Sequence, residues 1–111
     1  MAAIENTSIV KKIPVILETI ELEETIIPDH VIRDVNEEQV KFRGEKWVVH
    51  KNDSDPFPSN PHAHNYEAGL KLHLGNGELY SGTQLTGKIT RKKFIMIRSL
   101  FKRVKLPKYD I

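Results

Sequence analysis

Residues 70–82, LKLHLGNGELYSG, constrain the fold of this chain more than any other stretch. Leucines alternate with polar residues from position 70 to position 74, which is typical of a strand with one buried face. Asn76 and Gly77 follow, and this dipeptide is the strongest short-range signal for a hairpin. With a two-residue loop, Leu74 is predicted to lie opposite Leu79 on the core face.

A second hairpin is predicted in residues 40–51, VKFRGEKWVVHK. Gly44 and Glu45 would form its tight turn, because glycine suits the first position of the primed turns that match the twist of the strands. Pairing across this turn places Phe42 opposite Trp47, as part of the core face.

The beginning of the chain predicts extended structure. Residues 8–27 are rich in β-branched residues, and Ile20 and Leu22 alternate with acidic residues, so we expect one or two strands. Pro14 favours an edge position, because proline cannot donate a ladder hydrogen bond. Residues 28–39 predict a short helix or a turn-rich connection.

A basic amphipathic helix is predicted over residues 90–105, with Thr90 as its N-cap. Pro107 lies beyond its end, as is common after helices. The apolar residues of its buried stripe are Phe94, Ile97, Leu100, Phe101 and Val104. The predicted fold class is therefore α+β: an antiparallel sheet of four to six strands built from hairpins, with one face covered by this C-terminal helix.

A chain of 111 residues has the size of one domain. Three portions are expected within the domain 1–111: an acidic strand and short-helix portion (1–39), two hairpins joined by a proline- and histidine-containing loop (40–82), and the basic helix (90–105). The chain has no cysteine, no signal-peptide pattern at its beginning and no apolar run long enough to cross a membrane. These features predict a cytoplasmic protein that does not bind membranes.

The charge is unevenly distributed along the sequence. Residues 1–60 carry seven Lys/Arg and twelve Asp/Glu, whereas residues 61–111 carry ten and three. A basic second half favours binding to a polyanion, with RNA preferred, or to an acidic protein partner or inhibitor. The alternative is that the two halves neutralise each other within one fold.

The outer face of the two predicted hairpins is basic. If both hairpins share one sheet, the side chains that point away from the core are Lys41, Arg43, Lys46, His50, Lys71, His73 and Tyr80. The predicted pairing sets His73 opposite Tyr80. Positive charge combined with rings is what binding to a phosphate backbone needs. The alternative is an ordinary solvated face of an antiparallel sheet.

The predicted helix begins with three cations, Arg91, Lys92 and Lys93, where the helix dipole already favours negative charge. A bound anion would turn this small cost into a gain, and Arg98 and Lys102 extend the basic side. The alternative is tolerance of a small penalty.

The loop that joins the hairpins, NDSDPFPSNPHAHNYEAG, contains His62 and His64. Alternate residues of an extended segment point the same way, so both imidazoles are expected on one side, near His50. Imidazoles can act as acid and base in RNA cleavage without a metal, because they titrate near neutral pH. His50 and His73 are alternates for these roles, and Tyr80 is predicted to orient the reaction or to stack on a base. His30 is excluded, since it lies in the acidic half.

Two other interpretations of this loop remain open. In one, zinc is bound by His62, His64 and His50, with Asp53 or Asp55 as a fourth ligand. In the other, the polar side chains hold together a loop without secondary structure. Asn60, His62, His64 and Asn65 would do so.

The sequence leads to a small nucleic-acid-binding protein, with toxin-like, metal-independent endoribonuclease activity as the leading hypothesis. The analogy with small bacterial toxins is one of size and chemistry, and it implies no cofactor. The alternative is a non-catalytic interaction or regulatory module that binds nucleic acid or an acidic protein partner. A zinc-dependent enzyme is the third hypothesis.

Overall fold

The computed structural model describes residues 15–31, 44–51 and 55–108, and over these ranges the chain forms a six-stranded antiparallel sheet followed by one helix. The strands lie in the sheet in the order of the sequence. This arrangement confirms the predicted α+β class, the antiparallel sheet and the C-terminal helix. The elements are β1 Val15–Leu22, β2 Glu45–Lys51, β3 His62–Asn65, β4 Leu70–His73, β5 Glu78–Ser81, β6 Gln84–Lys88 and α1 Arg91–Leu100.

The core lies between one face of the sheet and α1. Strands β2 and β4 contribute alternate residues to it, Trp47 and Val49 from β2 and Leu70 and Leu72 from β4, since successive side chains of a strand point to opposite faces. Full burial of a large apolar side chain stabilises the fold by about 1.5–3 kcal/mol. Seven of the predicted core residues lie in this one buried cluster, as expected: Trp47, Leu72, Leu74, Leu79, Phe94, Ile97 and Phe101.

The β4–β5 hairpin exists, but its predicted register is wrong. Leu72, not Leu74, lies opposite Leu79, and Lys71, not His73, lies opposite Tyr80. The loop is therefore four residues long, and Gly77 closes it by donating its N–H to the carbonyl of the last β4 residue at 2.8 Å, with φ at 84°.

Two side chains hold this wider turn in place. Nδ1 of His73 accepts hydrogen bonds from the N–H groups of Gly75 and Asn76, at 2.9 and 3.2 Å. The side-chain oxygen of Asn76 accepts a third from Glu78 N–H at 2.9 Å. Backbone N–H groups of this hairpin thus donate hydrogen bonds to the side chains of His73 and Asn76. A two-residue turn does not offer this geometry.

The predicted turn at Gly44 and Glu45 is also wrong, because Glu45 is the first residue of β2 and pairs with Leu22 of β1. Glu45 is 2% exposed, and its carboxylate accepts hydrogen bonds from Ile26 N–H at 3.1 Å, from Trp47 Nε1–H at 2.9 Å and from the Thr25 hydroxyl. These three hydrogen bonds fix Glu45 in strand β2, so it cannot take part in the predicted turn. Its predicted partner strand, residues 40–43 with Phe42, lies outside the described residues.

The two edges of the sheet differ in how well they were predicted. Strand β1 lies at one edge, as expected, and Ile20 and Leu22 face the core; Pro14 lies outside the described residues. Strand β6 at the other edge was not predicted. It follows a two-residue turn in which Gly82 has φ at 61° and Ser81 pairs with Gln84.

The segment after β1 is irregular as far as it is described. Residues 28–31 form a turn that is closed by a hydrogen bond from Val31 N–H to the Pro28 carbonyl at 3.1 Å. The rest of the predicted helix or connection, residues 32–39, lies outside the described residues.

Helix α1 is shorter than predicted. Thr90 caps its beginning, as expected, by accepting a hydrogen bond from Lys93 N–H at 3.3 Å. The helix ends at Leu100 because the next N–H groups, of Lys102 and Arg103, point to the Glu18 carboxylate at 2.8–2.9 Å. Phe101 and Val104 remain buried beyond the helix, whereas Leu100 is 38% exposed and does not join the core stripe. No helix within the described residues is long and apolar enough to cross a membrane.

Candidate functional site

Four ring residues form a cluster on the outer face, the sheet face that points away from α1. This ring cluster consists of His50, His62, His64 and Tyr66. The ring of His64 lies 4.5 Å from that of His62, 5.0 Å from that of His50 and 5.1 Å from that of Tyr66, between centroids. The predicted proximity of the three histidines is therefore confirmed.

Strand periodicity explains how the cluster forms. His62 and His64 were predicted to lie in a loop, but they are the first and third residues of β3. Both side chains therefore face the same side of the sheet. Val48 of β2 pairs with His64, and His50 lies two residues further along the same strand. The outer face of β2 therefore brings His50 against the rings of β3.

Residues 55–61 fold back over the outer face and bury part of it. The Ser59 hydroxyl accepts a hydrogen bond from Leu74 N–H at 3.1 Å and donates one to the Pro61 carbonyl at 2.7 Å. Nδ1 of His62 is hydrogen-bonded to the Ser59 carbonyl at 2.8 Å, and this histidine is 2% exposed. His62 is thus the inner wall of the cluster and does not reach the surface.

The accessible part of the cluster is formed by Tyr66 and His64. Tyr66 is 63% exposed and His64 is half-buried. Their rings are parallel within 4°. The Tyr66 hydroxyl is hydrogen-bonded to Nε2 of His50, which is 9% exposed. An exposed phenol is therefore connected directly to a buried imidazole.

Nδ1 of His50 is buried and has no hydrogen-bond partner within the described part of the chain. A buried polar atom without a hydrogen bond costs free energy in a folded protein, and native structures contain few of them. Some of these few belong to catalytic groups. Together with the bond between the exposed Tyr66 and the buried His50, this atom is a reason to regard the cluster as a functional site.

Lys71 brings positive charge next to the cluster, because it pairs with His64 across β3 and β4. Its ammonium group lies 3.2 Å from the Asp55 carboxylate and 5.9 Å from the centre of the Phe57 ring. The Phe57 N–H, and then Lys71, lower the pKa of Asp55 below its ordinary value by hydrogen bonding. Lys46 is exposed on the same face of β2, while the predicted Lys41 and Arg43 lie outside the described residues.

Tyr80 and His73, two further predicted site residues, are engaged in contacts beside the cluster. The Tyr80 hydroxyl donates to the Glu78 carboxylate at 2.8 Å, and its ring meets the Phe57 ring edge-on at 4.8 Å. This hydrogen bond raises the pKa of Tyr80 and lowers that of Glu78. His73 pairs with His62 across the strands, but its Nδ1 is occupied by the turn N–H groups described above.

The predicted cations of the helix lie on the other side of the molecule from the ring cluster. Arg91, Lys92, Lys93 and Lys102 are exposed, and the ammonium of Lys93 donates to the Thr25 carbonyl at 3.4 Å. Arg98 is half-buried and donates to the carbonyls of Leu74 and, at 3.0 Å, of Pro107. The predicted cations that the structure describes therefore lie on two separate surfaces.

The zinc hypothesis receives no support from the described part of the chain, in which no three His, Asp or Glu side chains are arranged to hold a metal ion. His50, His62 and His64 are near each other, but hydrogen bonds to Tyr66 and to the Ser59 carbonyl occupy one nitrogen each of His50 and His62. Asp53 lies outside the described residues.

Tyr66 is the member of the cluster that the sequence analysis missed. The signal was present in HAHNY, because Tyr66 follows His62 and His64 at the same spacing of two residues. It was missed because the prolines before His62 indicated a loop, and the alternation was applied to the two histidines only.

Comparison of the chain with protein-family models, with curated proteins and with solved structures finds no match.

Proposed function

We propose that this protein is a metal-independent endoribonuclease whose reacting groups are His64 and the Tyr66 hydroxyl. The observation that carries the proposal is the hydrogen bond between the exposed Tyr66 and the buried His50, directly beside the parallel ring of His64. Acid–base cleavage of a phosphodiester requires two groups that can exchange protons and that are held near each other. The rings of His64 and Tyr66 lie 5.1 Å apart between centroids.

The reaction is a transesterification within the RNA strand. His64 takes the proton of a ribose 2′-hydroxyl, and the 2′-oxygen attacks the adjacent phosphorus. The bond from phosphorus to the 5′-oxygen breaks, and this oxygen takes the proton of the Tyr66 hydroxyl. His50, when protonated, returns a proton to Tyr66 through Nε2. The products are a 2′,3′-cyclic phosphate and a 5′-hydroxyl end.

Positive charge supports this chemistry. The phosphorus carries additional negative charge in the transition state, and nearby cations stabilise it. Lys71 pairs with His64 across the strands and Lys46 is exposed on the same face. Both are placed to attract the backbone phosphates.

The remaining predicted residues take other roles in this proposal. His62 is buried and positions His64, whose ring it contacts. His73 holds the β4–β5 turn, and Tyr80 supports Glu78 and Phe57. The cations of α1 form a second surface that can bind more distant phosphates of the same RNA.

The test uses the purified chain, a labelled RNA and an excess of chelator. Wild-type protein should release products with 2′,3′-cyclic phosphate ends, and His64→Ala should lower the rate by roughly two to four orders of magnitude. His30→Ala is the matched control, because His30 is exposed and is not part of the ring cluster. Absence of cleavage by the wild type, or equal rates for His64→Ala, would refute the proposal.

A second candidate is a non-catalytic module that binds nucleic acid or an acidic protein. The observation in its favour is the exposed basic surface of α1, which lies away from the ring cluster and needs no chemistry. Expression in a host cell distinguishes the two candidates. Growth arrest with RNA degradation supports the enzyme, and unchanged growth with intact RNA supports the module.

A further inference from the structure

We infer that the ring of Tyr66 is a stacking platform for one base of single-stranded RNA; this inference rests on the proposed function and specifies its substrate. Tyr66 is 63% exposed, although it belongs to a cluster whose other rings are buried or half-buried. An aromatic ring that is held in place and open to solvent is the common feature of proteins that bind single strands.

The ring of Tyr66 is held from two directions. Its hydroxyl is bonded to His50, and the ring lies parallel to the imidazole of His64 at 5.1 Å. Little rotational freedom is therefore lost when a base stacks on it, so binding avoids most of the entropic cost of ordering a free side chain. A stacked base would extend the existing pair of rings by one.

The other tyrosine on this face within the described residues is Tyr80, and it does not have these properties. Tyr80 is half-buried, its hydroxyl binds Glu78 and its ring meets the Phe57 ring edge-on. Base stacking, which the sequence predicted for Tyr80, is therefore assigned to Tyr66 in this inference.

Stacking on Tyr66 selects a single strand. Within a duplex both faces of a base are covered by its neighbours, so a protein ring reaches them only if the base is unstacked first. A base on Tyr66 would also hold its own ribose close to His64, within the length of one nucleotide. In the proposed reaction, His64 takes the proton of the 2′-hydroxyl.

Binding is measured with a probe that cannot be cleaved, so that recognition is separated from chemistry. The probe is a short 2′-O-methyl oligonucleotide that carries 2-aminopurine, used as a single strand and annealed to its complement. Tyr66→Leu removes the ring, whereas Tyr66→Phe removes the hydroxyl and keeps the ring. Tyr80→Phe is the control for loss of a tyrosine hydroxyl elsewhere on this face.

Tyr66→Leu should weaken single-strand binding by about 5- to 100-fold. Tyr66→Phe should weaken it less than Tyr66→Leu, because it keeps the ring and loses only the bond to His50, and Tyr80→Phe should bind as tightly as the wild type. The duplex should bind the wild type more weakly than the single strand. Equal affinity of Tyr66→Leu and wild type, equal affinity for duplex and single strand, or no binding at all would overturn the inference. If Tyr66→Leu does not fold, the comparison of duplex with single strand decides. Binding with this pattern but no cleavage of RNA would refute the enzyme and leave the platform standing.

Discussion

The hydroxyl of Tyr66 and Nε2 of His50 share a hydrogen bond that joins the solvent-exposed surface to an imidazole with only 9% of its area exposed. His50 comes from β2 and Tyr66 directly follows β3, so the bond spans two strands. In the proposed reaction, a proton moves between solvent and a buried imidazole through this one side chain.

The first prediction concerns this pair as a unit. Tyr66→Phe and His50→Gln should each lower RNA cleavage by roughly two to four orders of magnitude, because each removes one end of the same proton path. The double variant should be no slower than the slower single variant, since residues that act together are not additive. Single-turnover cleavage rates measure this. Additive losses would mean that the two residues act separately.

The second prediction separates the two histidines of β3. His62→Ala should lower the free energy of unfolding by about 2 kcal/mol or more, because it empties a buried site and removes the hydrogen bond to the Ser59 carbonyl. His64→Ala should change stability by less than about 1 kcal/mol, since His64 is half-buried, but should abolish most cleavage. Urea denaturation and cleavage assays on the same preparations test both. The reverse pattern would make His62 the reacting group.

Much of the sheet could be predicted because a strand repeats every two residues. The hairpin at residues 70–82 was assigned the wrong register, yet Lys71 and Tyr80 were still assigned to the outer face. The error was two residues along β4, and a shift by an even number leaves every side chain on its original face. The length of the turn was harder to predict, because it depends on where the side chains of His73 and Asn76 find backbone donors.

The site could be predicted only in part, for a different reason. The shared direction of His62 and His64 follows from their spacing, and the nearness of His50 follows from its place before the loop. The burial of His62 depends on residues 55–61 folding over the sheet, through the contact of Ser59 with Leu74, fifteen positions further along the chain. Such a contact leaves no periodic signal in the sequence. The same holds for Glu18, whose carboxylate ends the helix from the opposite end of the chain.

The third prediction is a pH dependence that arises from Tyr80 and Glu78. The Tyr80 hydroxyl lowers the pKa of Glu78 below its ordinary value of 4.5, and the same bond raises the pKa of Tyr80 above 10.0. For a lowered carboxyl pKa, the stabilisation is present above the ordinary value and is lost as the pH falls through the folded value. For a raised phenol pKa, it is present below 10.0 and is lost as the pH rises through the folded value.

The stability difference between wild type and Tyr80→Phe should therefore be constant across neutral pH and shrink at both acidic and strongly alkaline pH. Urea denaturation of both proteins over a pH series measures it. Glu78→Gln is the control, because it removes the charged partner and should abolish the acidic change. A difference that does not vary with pH would show that the hydrogen bond does not couple the two groups.

The fourth prediction concerns the two basic surfaces. Replacing Lys46 and Lys71 with glutamine should weaken RNA binding and reduce its salt dependence by about one counterion for each lost phosphate contact. Replacing Arg91, Lys92 and Lys93 together should do the same if the RNA extends to α1, and should weaken binding much more than replacing Lys11 and Lys12. Binding isotherms at several salt concentrations measure both slopes. If only the α1 variants change the slope, the ring cluster does not bind RNA.

The last prediction concerns Glu45, which connects β2 to the segment after β1. Its buried carboxylate accepts from Thr25, from Ile26 and from the indole of Trp47. Glu45→Ala leaves these donors without an acceptor, and each unsatisfied buried donor costs about 1–3 kcal/mol. We expect a loss of about 4 kcal/mol in the free energy of unfolding, on the order of most of the stability of a small domain.

Glu45→Gln should lose less than half as much, because the amide keeps one oxygen that can accept two hydrogen bonds but turns an NH₂ group toward a donor. Glu24→Ala is the matched control, since Glu24 is exposed and should change stability by no more than about 0.5 kcal/mol. Urea denaturation followed by the fluorescence of Trp47 reports on the site directly, because Trp47 is buried beside the carboxylate. If Glu45→Ala is as stable as Glu24→Ala, solvent satisfies the three donors and the carboxylate does not hold β2 to the segment after β1.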